Sequence, residues 1–95
     1  MLYSAAPMAN FMGGSAPAMA AQIAEGFILV SAATLKGYGP GDLASLKIEL
    51  EKLLRETRAE VPAQDDALAN QARNRRIARL NAAVQLIHHK MTARR

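Results

Sequence analysis

The residues best equipped for chemistry in this chain are four arginines within seven positions: Arg73, Arg75, Arg76 and Arg79. Planar guanidinium groups bind phosphate and carboxylate through paired N–H donors. On a helix these four spread over adjacent faces and reach about 9 Å along the axis. Two uses are open to them. They can neutralise a nucleic-acid backbone, with an affinity that falls steeply as salt rises. They can instead pair with Glu49, Glu51, Glu56 and Glu60 on a neighbouring helix. Other chemistry is poorly supported. His88 and His89 are adjacent, whereas two helical metal ligands need a spacing of three or four to share a face. No acid follows Asp66, so no carboxylate nearby completes a metal site, and no metal or cofactor is expected. Lys36-Gly-Tyr-Gly-Pro-Gly-Asp42 has alternating glycines but neither the βαβ setting of a dinucleotide loop nor the terminal Gly-Lys-Ser/Thr of a Walker loop. It predicts a turn leading into a helix. There is no cysteine nucleophile and no histidine with an acid close in sequence. No catalytic residue is assigned, and the chain is expected not to be an enzyme.

The run Asn70-Gln-Ala-Arg-Asn-Arg-Arg76, with heptads after it, resembles the basic region of a leucine-zipper factor. The resemblance covers seven residues and implies DNA contact through Arg73, Arg75, Arg76 and Arg79. The basic run is thinner than in that family, and a helix folded against it would leave little of a free DNA-gripping fork.

The elements that must position these groups are helices. Leu43, Leu46, Leu50 and Leu53 recur at three- and four-residue steps, as do Ile77, Leu80, Val84, Ile87 and Met91. That spacing places each set on one stripe, the seam of a helical hairpin or coiled coil. Helices are expected over 42–60 and 65–93, broken by Val61-Pro-Ala-Gln64. So short a connection makes them antiparallel. Asp42 can cap or sit in the first turn of one, and Asp65 or Asp66 can cap the other. Asn70 and Arg73 fall on the projected seam as polar register-setting residues, with Leu68 and Ala72 on a neighbouring stripe. Upstream, Ser15 and Pro17 suit a helix start. A single helix over 17–36 is favoured by its alanines. The alternative is a short helix ended by Gly26 and a small β-hairpin at 27–38.

Charge is segregated along the chain. Residues 1–41 carry only Glu25 and Lys36, and residues 42–66 carry seven acids against four bases. Residues 67–95 carry seven bases and no acid. Residues 1–24 lack Lys and Arg, and Pro7, Gly13, Gly14 and Pro17 interrupt the apolar run, which argues against a secretory signal. Gln22, Glu25 and Gly26 lie in the most apolar window, which argues against a membrane span. Residence in the cytoplasm is expected.

The fold expected is all-α: an antiparallel, coiled-coil-like helical hairpin with an additional N-terminal helix. Residues 1–15 form a flexible or partner-docking leader ahead of a single helical domain, 16–95. Within the leader, Met8, Phe11 and Met12 offer soft apolar contacts. The helix over 65–93 is longer than its partner, so its far end, with Val84, Leu86, Ile87 and Met91, should project uncovered. Such a stripe calls for a second chain or for the N-terminal helix to fold back over it. The expected function is that of a non-enzymatic assembly or adaptor protein. It would act through helix–helix contacts, by self-association or on a larger protein partner. The alternatives are a small nucleic-acid-binding protein using the Arg73–Arg79 face, and a structural component of a particle such as a phage virion.

Overall fold

The computed structural model describes residues 11, 12 and 14–93. Three helices make the fold: α1 Ala16–Glu25, α2 Pro40–Ala59 and α3 Ala67–Ala93. All three pack on one another, and no strand occurs among the described residues.

Each boundary has a local cause. Ser15 accepts a hydrogen bond from the Ala18 N–H at 3.2 Å, and Pro17 sits in the first turn of α1 where its missing donor costs nothing. Gly26 ends α1 in the left-handed region, at φ 86°. Its N–H reaches the Ile23 carbonyl at 3.1 Å, and the Phe27 N–H reaches the Gln22 carbonyl at 2.9 Å. This is the double closure of a Schellman motif. The favoured helix over 17–36 is therefore wrong beyond Glu25, and the alternative β-hairpin at 27–38 is not formed either. Residues 27–39 instead make an irregular strap. Ser31 and Thr34 bond reciprocally, N–H to Oγ1 at 2.8 Å and N–H to Oγ at 3.3 Å, which folds the strap into turns.

Pro40 opens α2 at its first helical position, and the Asp42 carboxylate accepts the Gly39 N–H at 3.2 Å from within the first turn. Asp66 caps α3 through Ala69, at 3.0 Å. The Asn70 side-chain amide donates to the carbonyls of Ala63 and Asp66, both at 2.9 Å, and so ties the interhelical connection to α3.

The core joins Met19, Ala20, Ile23 and Ala24 of α1 with Leu43, Leu46, Leu50 and Leu54 of α2 and Leu80, Ala83 and Ile87 of α3. Ile28, Leu35 and Tyr38 close it from the strap. Leu54, not Leu53, continues the buried stripe of α2; Leu53 is only half-buried. A four-residue step is the one that keeps the stripe facing both neighbours. The Tyr38 hydroxyl lies 3.3 Å from the Met19 sulfur within the core.

The projection falls at the opposite end from the one expected. Ile87 is 0% exposed, and Val84, Leu86 and Met91 are half-buried against the core. Two features account for this. The connection 60–66 is longer than anticipated, and Arg73 lies beside Thr57, which carries 87 to roughly the level of 43. The strap then runs along the same part of α3. What stands clear of α1 is the closed end of the hairpin. No residue of α3 before Leu80 is buried.

Candidate functional site

Three of the four arginines singled out in the sequence are turned inward. Arg73 donates from Nε to the Thr57 carbonyl at 3.2 Å and from Nη2 to the Arg58 carbonyl at 2.8 Å. Those carbonyls belong to the last turn of α2, where i→i−4 donors run out; the Thr57 carbonyl also accepts the Glu60 N–H at 3.2 Å. Arg79 does the same for α1, donating from Nη1 to the Ala24 carbonyl at 3.0 Å. Its guanidinium lies over Gly26, close enough that a Cβ there would sit 3.0 Å from Cζ. Both cations also oppose the negative end of a helix dipole. Arg76 pairs with Glu25, also in the last turn of α1. The expected pairing of these arginines with Glu49, Glu51, Glu56 and Glu60 is thus replaced. The sole described ion pair is Arg76–Glu25, and the other inward contacts go to helix-end carbonyls. Arg75 alone is exposed with no hydrogen bond or ion pair to a described residue.

The apolar candidates separate. Ile87 is core, and Val84, Leu86 and Met91 flank it. Leu86 shares an open groove of about 240 Å³ with Ala32, Leu35, His89, Lys90 and Ala93, where the strap meets α3. Phe11 is half-buried, with its ring edge-on to Tyr38 at 5.2 Å between centroids, so it is held by its own chain. Met12 is exposed, and Met8 lies outside the described residues. His88 and His89 are exposed, and no cluster of three or more His, Cys, Asp or Glu forms among the described residues. No described helix is long and apolar enough to cross a membrane.

Besides the lone Ile48 of α2, two exposed apolar surfaces remain among the described residues, neither of them among the partner-binding residues expected from sequence. One is the hairpin end, where Leu68 is 79% exposed and Val61 78%. An open groove on its outer side is lined by Ala67, Leu68, Gln71, Asn74, Arg75 and Ala78. The other is the start of the strap, where Phe27 and Leu29 are each 80% exposed while Ile28 between them is buried. The first had a signal in the sequence, because Leu68 and Ala72 fall off the main seam. The second had a weaker one: Phe27 directly follows a helix-ending glycine, a position whose apolar side chain usually folds back on the helix.

No family model, curated protein or solved structure matches this chain.

Proposed function

We propose that the protein is a non-enzymatic assembly protein whose hairpin end associates with a second copy through helix–helix contacts. One observation carries the reading: the first half of α3 buries no residue, while Leu68 and Val61 stand in solvent at its tip. Large apolar side chains exposed together at one end of a small domain mark an interaction surface more often than a solvated one. The charges there suit a like partner. Glu56, Glu60, Asp65 and Asp66 lie near Arg55, Arg58 and Arg75, so the hairpin end offers both signs of charge to a second copy. The nucleic-acid alternative loses support, because Arg73, Arg76 and Arg79 already have protein partners.

The test is mass by light scattering at high micromolar concentration. The wild type should exceed the monomer mass. Leu68→Asp and Val61→Asp should restore the monomer with helical circular dichroism retained, since both side chains are exposed. A monomeric wild type, or an oligomer indifferent to both changes, overturns the proposal.

A further inference from the structure

From the start of the strap we infer that a second surface of this protein docks on anionic membrane, with Phe27 and Leu29 entering the lipid interface. The two side chains are each 80% exposed. Leu29 borders a hollow with Ile23, Ile28, Val30, Arg79 and Ala83 that holds about 160 Å³, too little for a partner helix. Exposed apolar groups with no groove beside them large enough for a helix fit a partner that yields around them, and a lipid interface does so to a depth of about 5–10 Å.

The geometry of the turn keeps Phe27 out. It occupies the position after the left-handed glycine, where an apolar residue ordinarily packs back on the helix. Here its N–H makes the expected bond to the Gln22 carbonyl at 2.9 Å, yet the ring stays in water. The backbone N–H groups of Leu29 and Val30 have no acceptor among the described residues. At headgroup depth, water and phosphate oxygens can accept from them; in hydrocarbon nothing could. The insertion is therefore shallow.

Charge selects the kind of lipid. Arg79 borders the start of the strap, and Lys90 and His89 border its middle. Lys36 lies on the strap itself. The only acid in residues 1–41 or 67–95 is Glu25, which Arg76 holds. Each Lys or Arg near an anionic leaflet strengthens binding by about fivefold. A second copy presents the same cations, so face-to-face pairing of two straps is disfavoured. The strap lies about 18 Å along α3 from Leu68 by helix rise, so this surface is separate from the hairpin end.

The full chain is tested by co-sedimentation with vesicles of phosphatidylcholine alone and of phosphatidylcholine with phosphatidylserine, at low and moderate salt. Binding is expected with phosphatidylserine and should weaken about tenfold or more without it. Phe27→Ser and Leu29→Ser should each weaken it by about tenfold, with helical circular dichroism unchanged. Ile48→Ser removes an exposed apolar side chain of α2 and should have no effect. Three results overturn the inference. One is no sedimentation with anionic vesicles. Another is binding unchanged in Phe27→Ser and Leu29→Ser, which would leave charge alone responsible. The third is loss of self-association in those variants with vesicle binding intact, which would make a second copy the occupant.

Discussion

Replacing Gly26 by Ala should destabilise the protein by about 2–4 kcal/mol, from two separable causes. The first is the backbone. Gly26 sits at φ 86°, where a side chain costs roughly 1–2 kcal/mol. The second is crowding. The new Cβ would lie 3.0–3.2 Å from Cζ, Nε and Nη2 of Arg79. A guanidinium at the end of a flexible side chain can retreat, but doing so stretches its bond to the Ala24 carbonyl, now 3.0 Å. A hydrogen bond to a charged group contributes about 1.5–3 kcal/mol, and here part of it would be lost. Gly26→Asn separates the two, because Asn tolerates the left-handed region but still carries a Cβ. It should cost about 1 kcal/mol less than Ala, and the remainder should vanish in an Arg79→Ala background. Urea unfolding followed by circular dichroism measures all four variants. The melting temperature should fall by about 4–8 °C per kcal/mol for a chain of this size. A cost below about 0.5 kcal/mol for Gly26→Ala would refute the reasoning, since the left-handed closure would then not be what ends α1. A cost that Arg79→Ala leaves unchanged would refute the crowding half alone.

Two further predictions rest on the core. Thr57 is 2% exposed, and its hydroxyl has no partner among the described residues, so Thr57→Val should raise stability by about 1 kcal/mol in the same urea assay; a loss of stability would show that the hydroxyl is bonded after all. Ile87 is fully buried, so Ile87→Ala should cost about 2–5 kcal/mol and leave the oligomeric mass unchanged at native conditions; a lower mass with unaltered stability would place Ile87 at an interface between chains.

The helical hairpin was legible in the sequence because its signals are local and periodic. Leucines at three- and four-residue steps mark α2, and Pro62 and Asp66 mark the break before α3. The partner of each arginine was not legible. Glu25 lies 51 positions from Arg76, and the carbonyls that receive Arg73 and Arg79 have no identity in a sequence. A count of charges therefore pointed to the glutamates of α2, whereas the free carbonyls at helix ends are the stronger local demand. The strap failed for a related reason. Its alanines, Ala32 and Ala33, favour helix individually, but Gly26 had already closed α1, and Ser31 with Thr34 satisfies the backbone locally. The register of the hairpin is not legible in the sequence because it depends on the length of the connection. A few residues added to that loop slide α3 by a turn and move the uncovered end from one side of the molecule to the other.

The arginine cluster changes meaning once its contacts are known, and with it the weight of the chain's basic charge. A block of seven bases with no acid ordinarily argues for a polyanionic partner. Here Arg73 closes α2, Arg79 closes α1, and Arg76 holds the last acid of α1. One helix thus completes the ends of the other two, and removing Arg73 or Arg79 would take a donor from the Arg58 or Ala24 carbonyl. Charge that is needed inside the fold is weak evidence for a ligand outside it. Among the described residues of the strap and α3, the cations without a protein partner are Lys36, Arg75 and Lys90. They are too dispersed, over about 20 Å along α3, to track one groove of a duplex, while Lys36 lies on the same strap as the exposed Phe27 and Leu29. Dispersed cations with exposed apolar side chains suit a diffuse negative surface better than a line of phosphates, which is why the strap, and not the arginine cluster, is where an anionic partner should be sought.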